Sequence, residues 1–466
     1  MALRFFNTYS QKLEEFIPLD PPTVRMYTCG PTVYHYVHIG NFRSFTFQDI
    51  LRRWLGYRGY TLEHVMNITD VEDKIIRNAM AKNMSLSEYT KQYEDAFLED
   101  SAALRLERPT RFVRATEHID EMVEAVQALA DNGHTYQSEG STYFRIASFP
   151  EYGRLSRLHI EGMQAGARVD VDEYEKDDAR DFVLWKAKKD GEPFWDTPLG
   201  AGRPGWHIEC SVMANKYLGD TLDIHTGGID LTFPHHENEI AQAECISHKQ
   251  FVRYWLHSEH LIVEGQKMSK SLGNFFTLRD VLDRGYSPEA IRYRLAAVPY
   301  RNKLNFTFAD LDAAETAIDR LRNFDLRLRT GKFNEGKCPE VAERIAQARS
   351  DFEGHMDDDL NTAAALGAIF EYVRETNAAM DSGQFCAGNV VDAQGLLAAF
   401  DRVFDVLRPT PKESALSDAD VDALIAERQQ ARMARDFKRS DEIRDELLAK
   451  GIVLEDTREG VRWKRK

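Results

Sequence analysis

The fold is decided by residues 24–68, which read VRMYTCGPTVYHYVHIGNFRSFTFQDILRRWLGYRGYTLEHVMNI. The stretch begins with one β-rich run, Val24–Thr28, and ends with a second, Thr61–Ile68. Between them, apolar side chains recur at helical spacing from Phe42 to Leu55. A strand, a helix and a second strand in this order predict parallel strands within an open α/β sheet, whose ligands bind beyond the carboxyl ends of the strands.

The overall composition is that of a globular protein with several domains. The chain has 466 residues, of which 43% are hydrophobic and 29% are charged, and its net charge is −16. No apolar run approaches the ~20 residues that span a bilayer, and no signal peptide is evident, so we expect no membrane partner. Five cysteines, an odd number, argue against a disulfide framework and favour reduced thiols in the cytoplasm.

The pattern along the chain predicts an α/β protein with three parts. We expect a Rossmann-like, parallel-sheet catalytic domain over residues 1–312, with an inserted connective region at about 115–205. Amphipathic sequence with few strand signals predicts an all-α helical bundle over residues 313–407. After a linker-like segment, we expect a small α/β domain over residues 420–466.

Two short segments, His38–Asn41 and Lys267–Ser271, carry the features of a nucleotide site. The first lies at a predicted helix N-terminus, where Gly40 lets the backbone approach a phosphate and the helix dipole favours anions. The second lies in a loop flanked by glycines, where its two lysines can stabilise a departing pyrophosphate. The alternative is that His38 caps the helix and that the lysines are solvated surface charges.

Together and in this order, the two segments resemble the signature motifs of class I aminoacyl-tRNA synthetases. Asn41 departs from the four-letter form of the first motif, which has histidine there, so the contribution of this position to catalysis stays open. The turn Thr226–Asp230 resembles the adenosine-binding turn of the same family. The resemblance implies three catalytic residues, His38, Lys267 and Lys270. It also implies that ATP, with Mg²⁺, is bound by His38, Ile39, Gly40, Asn41, Gly228, Asp230, Lys267, Met268, Ser269, Lys270 and Ser271.

A third set of residues makes a plausible metal site: Cys29, Cys210, His235 and Glu239. His235 and Glu239 are four positions apart on a helix that we expect to begin at Pro234, so both side chains lie on one face. Two thiolates, an imidazole and a carboxylate are ligands that suit zinc. The alternative is that the cysteines are small core residues and that the His–Glu pair lies on the surface.

Four segments resemble cysteinyl-tRNA synthetases, and the resemblance extends over essentially the whole chain: Tyr27–Tyr34, Asn67–Asp70, Gly202–Cys210 and Phe233–Glu239. It implies that one zinc ion per chain is held by Cys29, Cys210, His235 and Glu239. It further implies that the L-cysteine pocket is lined by Gly30, Thr69, Trp206 and His225. Because a soft thiolate binds zinc far better than a hydroxyl, ligation of the substrate sulfur can reject serine without an editing site.

The C-terminal end differs in charge from the rest of the chain. Residues 424–466 contain 12 Lys and Arg against 9 Asp and Glu, a local balance of +3. Here we expect one charged helix, Asp420–Lys450, followed by the short strands Ile452–Glu455 and Val461–Lys464. Basic residues with an interleaved aromatic suit RNA, although a solvated tail would look the same. The resemblance implies that this domain reads the anticodon of tRNA(Cys) through Arg432, Phe437, Asp441 and Asp456.

The resemblance to cysteinyl-tRNA synthetases therefore implies a monomeric, cytoplasmic enzyme that forms cysteinyl-adenylate from L-cysteine and ATP and transfers the acyl group to tRNA. Two alternatives remain. One is the related ligase that joins cysteine to an amino-sugar inositol and lacks a full anticodon-reading end. The other is a non-catalytic RNA-binding or zinc-stabilised protein on a synthetase scaffold, against which the intact His38, Lys267 and Lys270 argue.

Overall fold

The computed structural model describes residues 2–157, 181–410, 418–457 and 460–465. They fall into two compact units, Met1–Asp405 and Val406–Lys466. No helix formed by these residues is both long and apolar enough to cross a membrane.

The first unit contains both strands and helices. Its strands are β1 (Arg4–Asn7), β2 (Lys12–Glu15), β3 (Thr23–Thr28), β4 (Thr61–Ile68), β5 (Arg111–Arg114), β6 (Thr135–Ser138), β7 (Ser141–Phe144), β8 (Phe182–Ala187), β9 (Gly202–Pro204), β10 (Leu222–Gly228), β11 (Val252–Ser258), β12 (Leu261–Val263), β13 (Gln266–Lys267) and β14 (Leu304–Phe306). Its helices are α1 (Ile39–Tyr57), α2 (Asp73–Ala81), α3 (Leu86–Ala103), α4 (Ile119–Asp131), α5 (Trp206–Leu218), α6 (His235–Ser247), α7 (Leu278–Leu282), α8 (Pro288–Ala296), α9 (Phe308–Thr330), α10 (Pro339–Asp357), α11 (Thr362–Asp381) and α12 (Val390–Phe404).

A parallel sheet with strand order β11-β10-β3-β4-β5 lies at the centre of the first unit. Strands β3 and β4 pair in parallel register from Thr23 opposite Thr61 to Thr28 opposite Met66, with α1 as the connection. The predicted strand–helix–strand unit is therefore confirmed, and so is the open α/β sheet. Strands β3 and β10 are central neighbours, so the segments that follow Thr28 and Gly228 leave the same edge of the sheet.

The region after β5 interrupts this parallel arrangement. Strands β6, β7, β8 and β9 form an antiparallel sheet of their own, before the chain returns to the parallel sheet through α5 and β10. This sheet lies within the insertion that the sequence predicts at about 115–205. Residues 158–180 of that insertion lie outside the described part of the chain.

The end of the first unit is helical, as the sequence pattern predicts. It consists of α9, α10, α11 and α12. The first of these helices already begins at Phe308, ahead of the expected position 313, because the side chain of Thr307 caps its N-terminus by accepting from the backbone N–H of Asp310.

The second unit contains two helices, α13 (Asp418–Met433) and α14 (Phe437–Ala449), and an antiparallel hairpin of β15 (Ile452–Thr457) and β16 (Gly460–Arg465). The two predicted strands are confirmed, but the prediction of one continuous helix over 420–450 is wrong. The chain turns at Arg435, whose φ is 58°, and Asp436 restarts the helix by accepting from the backbone N–H of Arg439.

Candidate functional site

The N-terminus of α1 is fixed by His38, which is its N-cap. The Nδ1 atom of His38 accepts a hydrogen bond of 3.2 Å from the backbone N–H of Asn41. The backbone N–H of Ile39 donates to the carbonyl of Phe276 over 3.0 Å, and His38 pairs with Thr277 in an isolated antiparallel bridge. The capping role that the sequence left as an alternative is thus present, and it leaves the Nε2 atom of His38 available to a ligand.

The two predicted nucleotide segments meet at Gly40. A Cβ atom at this position would lie 2.7 Å from Cε of Met268 and 2.9 Å from Nδ1 of His38. Only glycine fits such an approach without displacing a neighbour. The fold therefore brings His38–Asn41 and Lys267–Ser271 together, although more than 200 residues separate them in the sequence.

The loop that carries the two lysines is exposed. Lys267 ends β13, and Lys270 begins a short 3₁₀ turn that ends at Leu272. The Nζ atom of Lys270 lies 5.3 Å from the ring centre of Phe275, whose ring in turn packs edge-on against His38 at 5.2 Å. A cavity of about 440 Å³ opens beside the loop and is lined by His35, Tyr36, Lys270, Gly273, Phe275, Thr277, Arg279 and Asp280.

The turn after β10 faces the same helix terminus. A Cβ atom at Gly228 would lie 2.5 Å from Oδ1 of Asp230 and 3.6 Å from Oγ of Ser44 on α1. Burial lowers the pKa of His38, and the negative charge of Asp230 opposes that shift. Asp230 is therefore an electrostatic neighbour of His38, as expected if both contact one nucleotide.

The four predicted metal ligands form a single buried cluster. Their ligand atoms all lie within 4.8 Å of one another. Sγ of Cys29 lies 4.0 Å from Sγ of Cys210 and 3.8 Å from Oε1 of Glu239, and the same carboxylate oxygen lies 3.0 Å from Nε2 of His235. Zinc bonds are about 2.0–2.3 Å long in tetrahedral sites, so ligand atoms lie about 3–4 Å apart. The spacing and the donor types fit zinc.

The local folds that present these side chains follow from the sequence. Cys29 comes directly after β3, and Cys210 lies in the second turn of α5. Helix α6 begins at His235, directly after Pro234, so that His235 and Glu239 point to the same side one turn apart. The helix start predicted at Pro234 is confirmed to within one residue, since Pro234 is the N-cap and α6 begins at His235.

The four side chains of the cluster shift one another's pKa values. Burial would raise the pKa of Cys210, but its contacts with Cys29 and His235 lower that pKa to about 6. Burial would lower the pKa of His235, but the negative charges of Cys210 and Glu239 raise it to about 10. Burial opposes ionisation of Glu239, yet His225 and His235 lower its pKa to about 2. The cluster thus buries two negative donors, Cys210 and Glu239, which a divalent cation could neutralise, whereas burial raises the pKa of the Cys29 thiol.

The predicted cysteine-pocket residues surround this cluster. The ring of Trp206 stacks on His235 at 4.3 Å, and Nε2 of His225 lies 2.9 Å from Oε2 of Glu239. Thr69 is buried beside the cluster's helix α5 and donates to Oε2 of Glu209 over 2.9 Å. A Cβ atom at Gly30 would lie 1.9 Å from the carbonyl oxygen of Asn67, so this position admits no side chain.

Several polar residues near the cluster were not identified from the sequence. Among the described residues, a second possible donor set shares Cys29 and Glu239 but uses His225 and His236, with Nε2 of His236 3.3 Å from Sγ of Cys29. His236 is held by His257, whose Nε2 lies 2.7 Å from its Nδ1. The adjacent histidines in Phe233–Glu239 could have drawn attention to His236. His257 lies in a strand whose sequence pattern indicates only a core strand.

The predicted RNA-binding residues belong to the second unit. Arg432 lies in the last turn of α13, and Phe437 opens α14 with 63% of its surface exposed. Asp441 is exposed on α14, 3.5 Å from Arg444. Asp456 lies in β15, but its side chain is outside the described part of the structure. The turn at Arg435 places Arg432 and Phe437 on either side of one helix–helix corner.

Comparison with known proteins accounts for this arrangement. Residues 15–316 match the model of the class I (C) tRNA synthetase catalytic domain, residues 351–408 that of the DALR domain, and residues 416–463 that of the cysteinyl-tRNA ligase anticodon binding domain. The chain is 65% identical to a cysteine–tRNA ligase of Solibacter usitatus and 53% identical to one of Koribacter versatilis. Both alignments cover 100% of this chain and of the relative.

Solved structures show the same fold. The methionyl-tRNA synthetase of Mycobacterium tuberculosis in complex with methionyl-adenylate has a TM-score of 0.59 at 14% identity, and the match covers 83% of this chain and 90% of that one. The family models, over the residues that they match, and the full-length relatives point to the same family. The chain belongs to the cysteine–tRNA ligase family of the class I tRNA synthetases.

Proposed function

We propose that this protein activates L-cysteine with ATP and transfers the cysteinyl group to tRNA(Cys). The observation that carries the proposal is the buried group of Cys29, Cys210, His235 and Glu239 at the edge of the sheet where the nucleotide segments also lie. A thiol-binding centre beside an ATP site is the combination that cysteine activation requires. The family membership supports the same reaction.

We propose that one zinc ion is held by Cys29, Cys210, His235 and Glu239. When bound, it supplies a soft Lewis acid that favours a thiolate over a hydroxyl. Around it, His225 holds Glu239 through the 2.9 Å contact to Oε2 and leaves Oε1 to face His235. This contact orients the carboxylate, because a hydrogen bond to the oxygen that does not face the metal fixes the direction of the other.

We propose that His38, Lys267 and Lys270 stabilise the charge that develops on the phosphates. His38 has its Nδ1 occupied by the backbone of Asn41, so its Nε2 can donate to a phosphate oxygen when that nitrogen carries the proton. The two lysines lie on an exposed loop that can move toward the nucleotide. Gly228 and Asp230 serve the adenosine, and Ile39, Gly40, Asn41, Met268, Ser269 and Ser271 complete the ATP site with Mg²⁺.

We propose that the substrate cysteine lies between Gly30, Thr69, Trp206 and His225. Gly30 keeps the backbone next to Cys29 free of a side chain, and its N–H is held by Oδ1 of Asn67 over 2.8 Å. Trp206 covers His235 and can exclude water from the thiol. The reaction then proceeds by positioning: the cysteine carboxylate attacks the α-phosphate and pyrophosphate leaves, which gives cysteinyl-adenylate. A ribose hydroxyl of the tRNA then attacks the acyl carbon, and AMP leaves.

We further propose the division of labour suggested by the sequence, with catalysis in residues 1–312, a helical bundle in 313–407 and anticodon reading in 420–466. Arg432, Phe437, Asp441 and Asp456 are the proposed tRNA contacts. The exposed ring of Phe437 supports base stacking. We also propose that the protein acts in the cytoplasm as a monomer.

The test is cysteine-dependent exchange of pyrophosphate into ATP, followed by charging of tRNA(Cys). We expect both reactions. Exchange without tRNA charging, but with transfer to an amino-sugar inositol, would favour the related small-molecule ligase. Absence of exchange in protein that contains its metal would contradict the proposal and favour a non-catalytic protein on this scaffold.

A further inference from the structure

Asn67 is a polar residue buried near the end of β4, beside the proposed cysteine pocket. Only 2% of its surface is exposed. Successive side chains of a strand point to opposite faces of the sheet, so Asn67 lies on the same face as Val65, which packs in one core cluster with Cys29 and Cys210. A buried amide costs free energy unless its oxygen and its nitrogen both form hydrogen bonds. The hydrogen-bond partners of Asn67 therefore indicate its role.

The amide of Asn67 joins two residues of the proposed cysteine pocket. Its Oδ1 accepts from the backbone N–H of Gly30 over 2.8 Å, and its Nδ2 donates to Oγ1 of Thr69 over 3.2 Å. The orientation of the amide follows from these partners, because a backbone N–H can only donate and must therefore face the amide oxygen. The amide nitrogen is then left to face Thr69.

The same chain of hydrogen bonds fixes the hydroxyl of Thr69. Because Oγ1 of Thr69 accepts from Asn67, its own proton goes to another acceptor, which is Oε2 of Glu209 at 2.9 Å. Glu209 is fully buried in the first turn of α5, next to Cys210. Asn67 and Glu209 thus hold the hydroxyl from two sides. Thr69 cannot exchange the places of its hydroxyl and methyl groups without losing both hydrogen bonds.

Backbone hydrogen bonds tie together the two segments on which this pocket is built. The N–H of Thr69 donates to the carbonyl of Pro31, and the N–H of Val33 donates to the carbonyl of Thr69, each over 3.1 Å. These bonds join the segment after β3 to the segment after β4. They do not include the N–H of Gly30, which is held by the side chain of Asn67.

Asparagine suits both contacts because one planar group carries an acceptor and a donor. An aspartate at position 67 would keep an acceptor for Gly30 but would have no proton for Thr69. The neighbours of Asn67 on this face of the sheet, Val65 and the paired Val113 of β5, are apolar. The amide is therefore a polar group within an apolar core, and both of its hydrogen bonds go to the proposed pocket.

We propose that Asn67 is a positioning residue for the cysteine pocket and that it acts through Gly30 and Thr69. This role rests on the proposed function, because it requires the amino acid to lie against those two residues. Loss of the amide should weaken cysteine binding, since small displacements of positioning groups have large effects. ATP binding should not change, because the hydrogen bonds that hold His38 among the described residues do not involve Asn67.

The test is calorimetric titration of the full, metal-loaded chain with L-cysteine and, separately, with ATP. We expect Asn67→Ala to bind cysteine roughly tenfold more weakly than the native protein, with unchanged ATP affinity and metal content. The matched control is Asn389→Ala, at a fully buried asparagine of the helical part whose amide also forms two hydrogen bonds, both with the backbone of Cys338. It should lower the midpoint of thermal unfolding but leave cysteine binding unchanged.

A double-mutant comparison distinguishes positioning from a general loosening of the core. Thr69→Val removes the hydroxyl through which Asn67 acts. In the double variant, the combined loss of cysteine affinity should therefore be clearly smaller than the product of the two single losses. If Asn67→Ala does not fold, as judged by circular dichroism, Asn67→Asp takes its place, because it keeps an acceptor for Gly30 and loses only the donor to Thr69.

Three results would each overturn the role of Asn67. They are native cysteine affinity in a folded Asn67 variant, a loss of ATP affinity or metal equal to the loss of cysteine affinity, and effects of Asn67 and Thr69 that simply multiply. Failure of the proposed function gives a different result. In that case cysteine binding would depend on Asn67, but the native protein would not exchange pyrophosphate into ATP.

Discussion

Replacing Cys210 with serine tests directly whether Cys210 is a ligand of the proposed metal site. Sγ of Cys210 lies 4.0 Å from Sγ of Cys29, a separation at which both sulfur atoms can bind one tetrahedral ion. The substitution changes one atom in a fully buried position, so packing is nearly conserved while a soft anionic ligand becomes a neutral hydroxyl. Loss of an outer-shell partner costs about 10–100-fold in metal affinity, so loss of a direct ligand should cost more than about 100-fold.

The assay is zinc content per chain after dialysis against a weak chelator, together with cysteine binding and ATP binding. We expect native protein to retain one zinc and Cys210→Ser to lose it, with cysteine affinity falling more than ATP affinity. Cys386→Ser, a like substitution at a partly exposed cysteine outside the site, is the control and should retain the metal. Stoichiometric zinc in Cys210→Ser would refute the assignment and favour the overlapping set that uses His225 and His236.

Three further predictions address the nucleotide and RNA sites. Lys270→Ala should slow cysteine-dependent pyrophosphate exchange by a factor that corresponds to about 3 kcal/mol, because the positive charge that stabilises the departing pyrophosphate is lost. Zinc content should not change, and exchange at the native rate would exclude a catalytic role. Gly40→Ala should raise the KM for ATP and slow exchange on the order of tenfold, because its Cβ would lie 2.9 Å from Nδ1 of His38. The control is Gly56→Ala in the same helix, whose Cβ meets nothing within 4 Å and which should change neither quantity. Phe437→Ala should raise the KM for tRNA by a factor that corresponds to about 1–3 kcal/mol without changing exchange, while Val391→Ala, at another exposed apolar position, should change neither; an unaltered KM would remove Phe437 from the RNA contacts.

The local parts of the fold were predictable because their signals are local. Val24–Thr28, the helix after His38 and Thr61–Ile68 carry clear periodicities, and the structure has β3, α1 and β4 there. Pro234 marked the start of α6 for the same reason. Each of these elements is recognisable from fewer than twenty consecutive residues.

The break between α13 and α14 was missed because its signal is weak. The residues between the two helices include Ala434 and Arg435, which are ordinary helix formers, and no glycine or proline marks the turn. Arg435 adopts a positive φ there, which its sequence does not indicate. Asp436 was the available clue, since aspartate favours the N-cap position.

The cluster of ligands could not be derived from spacing alone. Cys29 and Cys210 are 181 positions apart, and they meet only because β3 and the helix that follows β9 converge at one edge of the sheet. The resemblance to cysteinyl-tRNA synthetases was needed to bring the four proposed metal ligands together. The surrounding histidines, His236 and His257, needed the structure because their partner atoms come from different elements.

The central claim is that the enzyme distinguishes cysteine from serine because the thiol of the substrate binds the metal. Its most direct measurement is charging of tRNA(Cys) by the native protein with L-cysteine and L-serine side by side, each as kcat/KM. The two amino acids differ by one atom, and a hydrophobic pocket separates such near-isosteres by only about 10²-fold. We predict a preference for cysteine well above that factor, reduced sharply when the metal is removed. A preference of about 10²-fold or less, or one that survives complete removal of the metal, would contradict the account.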